Sequence, residues 1–186
     1  EAAAIVQQRH PDVRFVLVGD GPLAGTLAEQ IDRRGLHETV RLAGFHADVP
    51  SVLSAADAFV LPSYMEGMPN AVLEAFAARL PVVASAVGGL AEVIEHERTG
   101  LLAPPGDARA LAGALSRILD DCELAGRLAG AGAERARERF SLQQVADEYE
   151  SLYCGLVSGH HLGCADPDAV AACNAGKMDA VQARGG

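Results

Sequence analysis

The sequence predicts an α/β domain with a Rossmann-like, doubly wound parallel sheet and additional helices toward its C-terminal end. Short apolar runs bounded by Gly and Pro alternate with helix-like segments through the first hundred residues, which is the pattern of βαβ units. Aromatic residues make up only 4% of the chain, so the core must consist of Ala, Val, Leu and Ile, as in a buried parallel sheet. Right-handed crossovers between such strands then lead to a doubly wound sheet.

The individual elements follow from short-range patterns. The predicted strands are apolar runs with Gly or Pro at one or both ends; they cover residues 15–19, 40–44, 58–62, 81–85 and 100–103. The predicted helices have apolar residues at helical spacing; they cover residues 2–8, 23–34, 49–55, 69–79, 107–120, 123–139 and 142–156. Asp107 and Ser141 stand where N-caps belong, since their side-chain oxygens can accept hydrogen bonds from first-turn amides.

Charge and composition argue against several classes of function. The formal net charge is −10, which disfavours broad nucleic-acid binding because such binding needs a cationic surface. No apolar run reaches the ~18 residues that a membrane-spanning helix needs, and no signal peptide is visible. The four cysteines have neither zinc-site nor Cys-x-x-Cys spacing, so we expect reduced thiols and a cytoplasmic protein.

The two ends of the chain differ from its middle. The chain starts at Glu1, inside a predicted helix and without a Met, so we expect it to be part of a longer protein. From about Gly155 onward the sequence has no hydrophobic period. We therefore expect one domain over residues 1–153 and a poorly ordered tail over residues 154–186. His160, His161 and Cys164 in this tail match no standard zinc pattern, so we expect no metal site.

A glycine loop with Gly19, Gly21 and Ala24 connects the first predicted strand to the next helix, as in the first turn of a dinucleotide-binding fold. Two features disfavour a nicotinamide enzyme. Pro22 removes an amide donor where the loop would wrap a pyrophosphate, and the second strand leads into Phe45 without the acidic residue that would hold a ribose. Two alternatives remain, a tight turn that needs glycine or a loop that lets another ligand approach the backbone closely.

The predicted helix start at residues 67–71 has the features of an anion site. Pro69 stands at the first helical position, where its missing N–H costs nothing. The amides near Gly67, Met68, Asn70 and Ala71 would face an anion together with the positive end of the helix dipole. This site would lie at the carboxyl edge of the sheet, where open α/β sheets bind their ligands.

Two glutamates, Glu66 and Glu74, lie on either side of this helix start. Glu74 falls within an almost wholly apolar stretch, and its neighbours at helical spacing are Asn70, Ala71 and small alanines. A carboxylate in that setting can hold vicinal hydroxyls, because each of its two oxygens accepts a hydrogen bond. The residues alone leave an exposed helix glutamate as an equal alternative.

The spacing of Glu66 and Glu74 resembles the Glu-x7-Glu motif of retaining GT-B glycosyltransferases, in particular the family 4 type, also described as glycosyl transferases group 1. The sequence around these glutamates also contains short motifs that are similar to those of this family, and they occur in the same order from about residue 15 to residue 153. The matching blocks are Gly19-Asp-Gly-Pro22, Leu42-Ala-Gly44, Ala56-Asp57, Leu61-Pro-Ser63, Glu66-Gly-Met-Pro69, Leu73-Glu-Ala75, Pro81-Val-Val-Ala-Ser85, Gly88-Gly89, Glu92-Val93, Thr99-Gly-Leu101 and Pro104-Pro-Gly-Asp107.

The resemblance implies a C-terminal, nucleotide-sugar-binding domain and assigns roles to individual residues. The residue matching Glu74 holds the nucleotide ribose in this family. The residue matching Glu66 contacts the donor sugar and is the catalytic candidate, while the stretch from Phe45 lies near the base. The residues that the resemblance places in donor binding are Gly19, Gly21, Phe45, Glu66, Gly67, Met68, Pro69, Asn70, Ala71 and Glu74.

The resemblance also implies the partners of this chain. The donor would be a UDP-, GDP- or ADP-sugar. Helix-start amides can stabilise its diphosphate without a metal, so no cofactor is expected. The acceptor would bind an N-terminal domain that this sequence does not contain, and any peripheral association with a membrane would occur through that half. No nucleic-acid partner is expected.

The sequence departs from the family pattern in two places. The family usually carries an Arg and a Lys on the first strand of this domain and in the following turn, and this chain begins after that point. Arg79 stands where the family often has a small residue, two positions before Pro81. Sugar transfer by the two-domain enzyme is the expected function, with little activity from this chain alone. The alternatives are a GT-B nucleotide-sugar 2-epimerase and a non-catalytic nucleotide-binding domain.

Overall fold

A computed structural model describes residues 1–157 of the chain, and the chain divides into two compact units, Glu1–Arg137 and Glu138–Gly186. The strands are β1 (Phe15–Val18), β2 (Val40–Gly44), β3 (Phe59–Leu61), β4 (Val82–Ser85) and β5 (Leu101–Ala103). The helices are α1 (Ala2–Arg9), α2 (Ala24–Arg33), α3 (Val49–Ser54), α4 (Asn70–Ala77), α5 (Gly88–Val93), α6 (Ala108–Asp120), α7 (Cys122–Arg139) and α8 (Leu142–Val157).

The strands are all parallel and alternate with helices, so the predicted Rossmann-like α/β class is confirmed. In the described residues they hydrogen-bond as two sheets, β1–β2 and β3–β4–β5. The sequence predicted parallel strands but not which of them pair with one another. The βαβ pattern determines that the strands run parallel, but the choice of neighbouring strands depends on backbone pairs distant in sequence.

Every predicted strand and helix through residue 156 is present within a few residues of its expected bounds. One further element, α5, was not predicted. It begins with Gly88 and Gly89, which disfavour helix by about 1 kcal/mol each relative to alanine. The helix forms because Leu90 and Val93 are fully buried, and tertiary packing outweighs the weak local propensity.

The core of the first unit is aliphatic, as the composition predicted. All four residues of β4 are buried, as expected of a strand covered on both faces. Helix α6 places Leu111, Leu115 and Ile118 at helical spacing into the same cluster, which also contains Val83. Full burial of such a side chain contributes about 1.5–3 kcal/mol, so this cluster is a major source of the unit's stability.

Helix α4, which carries Glu74, has a well-defined end. The Arg79 amide donates to the Phe76 carbonyl at 2.9 Å, and the Leu80 amide donates to the Ala75 carbonyl at 3.0 Å. These two bonds form a Schellman motif, which places its first residue beyond the cap in the left-handed region. Arg79 occupies that position with φ of +58°. Glycine adopts this conformation without strain, so the turn gives a physical reason for the glycine that the family resemblance leads one to expect at this position.

The sequence predicted that the domain ends at Tyr153. This position lies within α8 of the second unit, and the helix continues to Val157. Ser141 caps this helix as expected, accepting a hydrogen bond from the Gln144 amide at 3.2 Å. The expectation of a poorly ordered tail falls mainly on residues 158–186, which lie outside the described residues. His160, His161 and Cys164 lie there as well, so the structure does not test the expectation about metal binding.

Candidate functional site

The loops that follow β3 and β4 meet at the carboxyl edge of the three-stranded sheet. The loop after β3 carries Glu66 and Gly67, and the loop after β4 leads into the first turn of α5. The Gly89 amide donates a hydrogen bond of 3.1 Å to the Glu66 carbonyl. The start of α5 therefore serves as the support on which the backbone of the acidic loop rests.

This support requires glycine at two consecutive positions. A β-carbon added to Gly88 would overlap the Glu66 carbonyl oxygen, and one added to Gly89 would overlap the Gly67 carbonyl oxygen. Gly88 also has φ of +40°, a conformation that other residues rarely adopt. The two loops thus approach each other backbone to backbone, and this contact fixes the position of Glu66.

The start of α4 differs in detail from the expected arrangement. Pro69 is the N-cap of the helix and is fully buried, one position before the predicted N1. The Asn70 amide donates to the Met68 carbonyl at 3.0 Å, so it is not free to bind an anion in this conformation. Its bond to Met68 must open, or the neighbouring amides must suffice, if a phosphate binds at this helix start.

The two glutamates are placed at the same edge by α4 and the loop before it. Glu66 is half-buried, whereas Glu74 is exposed in the second turn of α4. Neither carboxylate has a hydrogen bond or an ion pair with another described residue. Both carboxylates are therefore available to hydrogen-bond a ligand, and the fully buried Val72, Ala75 and Phe76 anchor the opposite face of the helix.

The glycine loop belongs to the edge of the other sheet. Gly19 has φ of +128°, and its amide donates a hydrogen bond to the Gly44 carbonyl at 2.8 Å. A β-carbon added at Gly21 would have no atom within 4 Å, and the Gly21 amide donates to Asp20 Oδ1 at 2.8 Å. Phe45 follows directly and has 75% of its surface exposed. The structure therefore brings Gly19 and Phe45 together at the end of β1–β2, and it brings Glu66 to Gly88 and Gly89 at the end of β3–β4–β5.

The loop after β5 also reaches this edge, which sequence reasoning did not anticipate. Gly106 has φ of +76°, and a β-carbon there would lie 3.2 Å from the Tyr64 ring. Asp107 is a cap, as expected, because its carboxylate accepts hydrogen bonds from the Arg109 and Ala110 amides. The sequence shows a glycine directly before the N-cap Asp107, which indicates a tight turn. It does not show that this turn contacts Tyr64, because Tyr64 lies more than forty residues earlier in the chain.

Asp48, near the predicted base-binding stretch, has a structural role in this conformation. It caps α3 and accepts hydrogen bonds from both the amide and the hydroxyl of Ser51. These hydrogen bonds, first that of the Ser51 hydroxyl, hold the pKa of Asp48 below its usual value. These capping bonds fix the start of α3, directly after the stretch at Phe45.

A cavity of about 690 Å³ is present that neither of the two glutamates lines. The start of α1, Arg34 and the loop before α6 line it, with Asp107 and Arg109 among the contributing residues. None of the residues expected to bind a donor contributes to its lining. This cavity is therefore separate from the set of residues expected to bind a donor.

Two negative observations apply to the described residues only. None of the helices in this part of the chain has the length and the apolar composition needed to cross a membrane. Over the same range, no three His, Cys, Asp or Glu side chains are grouped as a metal site would require.

Comparison with known proteins identifies the family. The sequence model of a family described as glycosyl transferases group 1 matches residues 1–121 of the 186-residue chain. The chain belongs to the group 1 glycosyltransferases. The match includes both sheets, the glycine loop and the two glutamates, so every element of the candidate site lies in the part that this glycosyltransferase family shares.

Individual relatives agree with this assignment. The chain is 37% identical over 155 residues to the alpha-D-kanosaminyltransferase of Streptomyces kanamyceticus, a match that covers 82% of this chain. Its fold is similar to that of Anabaena Alr3699/HepE in complex with UDP, with a TM-score of 0.73, 30% identity and 81% of this chain covered. It is also similar to the C-terminal domain of the group 1 glycosyltransferase LpcC from Francisella tularensis, with a TM-score of 0.68 and 25% identity.

The extent of these matches differs between relatives. The glycosyltransferase chain spans 40% of the length of the kanosaminyltransferase and 44% of the Anabaena chain. It covers 77% of the Francisella C-terminal domain, which in turn covers 76% of this chain. The chain thus spans less than half of the first two relatives and about three quarters of the Francisella C-terminal domain.

Proposed function

We propose that residues 1–153 form the C-terminal, donor-binding domain of a two-domain GT-B glycosyltransferase that transfers a sugar from a nucleotide diphosphate with retention at the anomeric carbon. The observation that carries this proposal is the arrangement of Glu66 and Glu74 at one sheet edge, both without a protein partner among the described residues. The similarity to an Anabaena protein solved with UDP supports a nucleoside diphosphate donor.

Glu74 is the ribose-binding group in this proposal. It lies on an exposed face of α4, and its helix is fixed from behind by Phe76, which is fully buried. A carboxylate can accept a hydrogen bond from each of two vicinal hydroxyls, and such bonds to a charged acceptor are stronger than neutral ones. The buried side of the helix gives this acceptor a fixed position.

Glu66 and the loop that follows it are assigned to the donor sugar and its diphosphate. The departing diphosphate gains negative charge while the sugar becomes cationic, so both need stabilisation in the transition state. The amides of Gly67 and Ala71, with the positive end of α4, would face the phosphates. Glu66 would face the sugar, where a carboxylate stabilises the developing positive charge.

The remaining parts of the donor site are Gly19, Gly21 and Phe45 at the end of β1–β2. The glycine loop lets a ligand approach the backbone closely, since nothing lies within 4 Å of a β-carbon added at either glycine. Phe45 offers an exposed aromatic face on which a nucleotide base can stack. The acceptor, and any association with a membrane, would belong to the other domain of the enzyme.

Calorimetric titration of the chain with UDP, GDP and ADP tests the nucleotide site. We expect dissociation constants of about millimolar, because one domain supplies only one wall of the cleft. Glu74→Ala should weaken binding by about 1.5–3 kcal/mol, the loss of hydrogen bonds to a charged group. Glu29→Ala, an exposed glutamate on α2, is the matched control and should bind like the parent. Equal affinities for the parent and Glu74→Ala would refute the assignment.

A second experiment tests the two-domain requirement. We expect no sugar transfer when the 186-residue chain is incubated with radiolabelled nucleotide sugars and a panel of acceptors. Without a surface that orients the acceptor, as much as about 7–11 kcal/mol of barrier lowering is lost. Turnover by this chain alone would show that the proposed division of labour is wrong. Analysis of the anomeric configuration of the product made by the two-domain enzyme tests retention.

We also propose that the protein is cytoplasmic. Cys122 is exposed, and its thiol is free. Exposed thiols persist in reducing compartments and become oxidised outside the cell. Labelling of intact and lysed cells with a thiol reagent that does not cross membranes tests this proposal, and labelling in intact cells would contradict it.

A further inference from the structure

Arg135 on α7 makes an unusual set of contacts for an arginine outside the candidate site. Its side chain is 20% exposed. Its Nε donates to the Val93 carbonyl at 2.8 Å, and one terminal nitrogen donates to the Glu92 carbonyl at 2.8 Å. The other terminal nitrogen forms an ion pair with Glu95. One guanidinium therefore binds two backbone carbonyls and a carboxylate at the end of α5.

These contacts satisfy the C-terminal end of α5. The last carbonyls of a helix have no partner within the helix, and a cation there also interacts favourably with the helix dipole. Arg135 is planar and presents its donors in a fixed geometry. Because α5 has only six residues, fixing its last carbonyls restricts the position and the orientation of the whole helix.

The opposite end of α5 is the support for the acidic loop. Gly88 and Gly89 contact the backbone of Glu66 and Gly67 without room for a β-carbon, and Gly89 donates to the Glu66 carbonyl at 3.1 Å. A displacement of α5 toward its N-terminus would overlap the acidic loop, and the reverse displacement would break this hydrogen bond. The position of α5 is thus transmitted directly to the Glu66 backbone.

The same face of α7 also contacts the helix that carries Glu74. Gly132 lies one turn before Arg135, and a β-carbon at Gly132 would lie 2.5 Å from the Phe76 ring on α4. Phe76 is fully buried beneath that helix. One face of α7 therefore fixes α4 through Gly132 and α5 through Arg135.

We propose that Arg135 is a positioning residue for donor binding, which sets the Glu66–Gly67 loop by holding the C-terminal end of α5. This proposal rests on the function proposed for Glu66 and Glu74, but it also makes a prediction about the free protein. Loss of Arg135 allows α5 to shift, the Gly89–Glu66 hydrogen bond weakens, and the amides of the acidic loop leave their positions. Glu95 acts with it by orienting the guanidinium.

The experiment compares the parent chain with Arg135→Ala and Arg135→Lys by amide NMR and by titration with UDP. The lysine variant keeps the charge, but its ammonium cannot span two carbonyls and a carboxylate. Both variants should shift the Gly67 and Gly89 amide resonances and speed hydrogen exchange of the Gly89 amide at least tenfold. Arg127→Ala is the control, since Arg127 lies on the same helix and donates to the Glu97 carbonyl at 3.2 Å; it should leave these resonances and UDP affinity unchanged.

UDP affinity should fall by a factor on the order of ten to a hundred in the Arg135 variants, the scale of a small misplacement of site groups. If Arg135 only stabilises the fold, its variants will have a lower unfolding temperature, but the Gly67 and Gly89 resonances and exchange rates of the folded protein will match those of the parent. This result overturns the proposal. If Arg135→Ala does not fold, Arg135→Lys decides. A parent chain that binds no UDP contradicts the proposed function only, because the resonances and exchange rates still test Arg135.

Discussion

Gly89 and Gly67 face each other so closely that no β-carbon fits on Gly89 without overlapping the Gly67 carbonyl oxygen. The contact joins two loops that are more than twenty residues apart in sequence. It places the acidic loop against the first turn of α5, and the 3.1 Å hydrogen bond from Gly89 to Glu66 holds it there. The geometry of the candidate site therefore depends on the absence of a side chain at Gly89.

Gly89→Ala tests this contact. The added methyl group must displace the Gly67 backbone or α5, so we expect the variant to lose about 1–3 kcal/mol of unfolding free energy, as in overpacked cores, and to bind UDP more weakly. Gly113→Ala is the control because nothing lies within 4 Å of a β-carbon there; in the interior of α6 it should gain about 0.5–1 kcal/mol. Urea unfolding measures both. A Gly89→Ala variant as stable as the parent would show that the two loops can separate freely.

Arg79→Gly should stabilise the protein. Arg79 adopts φ of +58° at the end of α4, a left-handed conformation that costs roughly 1–2 kcal/mol for residues other than glycine. Part of that gain is offset because glycine is more flexible in the unfolded chain, so we expect a net gain of about 0.5–1 kcal/mol. Arg79→Ala keeps the strain and should show no such gain. If both variants have the same stability, strain at this turn is not the cause.

Thr39→Val and Thr99→Val should have opposite effects. Both threonines are almost completely buried. The Thr39 hydroxyl has no hydrogen-bond partner among the described residues, whereas the Thr99 hydroxyl accepts a hydrogen bond from the Glu95 amide at 2.9 Å. Thr39→Val removes an unsatisfied group and should gain up to about 1 kcal/mol, while Thr99→Val leaves a part-buried amide without its partner and should cost about 1 kcal/mol. Thermal unfolding distinguishes these outcomes, and a destabilised Thr39→Val would imply an unseen partner.

The ion pair between Glu97 and Arg117 should contribute to stability in a pH-dependent way. The hydrogen bond from Arg117, with the attraction of its charge, holds the pKa of Glu97 below its usual value. Glu97 therefore binds its proton more weakly in the folded state than in the unfolded state. The stabilisation is fully present above about pH 4.3, which is the ordinary pKa of a glutamate in the unfolded chain. It is lost as the pH falls through the lower pKa of Glu97 in the folded state.

Urea unfolding of the parent and of Glu97→Gln between about pH 3 and pH 6 measures this contribution. Both side chains are about half exposed, so the pair should contribute only about 0.2–1 kcal/mol. Glutamine keeps the side-chain size at this position, where φ is +65°. The variant should lose stability at pH 6 and show a shallower decline toward pH 3. Glu38→Gln, at an exposed glutamate outside the ion pairs of the described residues, is the control. If the unfolding free energy of Glu97→Gln depends on pH in the same way as that of the parent, the ion pair does not contribute to stability.

The candidate site was only partly predictable from sequence. Glu66 and Glu74 could be identified because their spacing and the family-like motifs around them are local features of the sequence. Arg135 could not, since its partners Glu92 and Val93 lie more than forty residues away. Nothing in the charged run of α7 distinguishes Arg135 from its exposed neighbours until the helix is packed against α5.

The sequence by itself determined the α/β class, the order of the elements and the caps at Asp107 and Ser141, because hydrophobic period, Gly and Pro boundaries and capping side chains act within a few residues of one another. The tertiary structure alone decided the division into two sheets, the formation of α5 despite its two glycines, and the left-handed turn at Arg79. These features depend on contacts between distant segments, whose packing free energy exceeds the local preferences of about 1 kcal/mol that a sequence pattern reports.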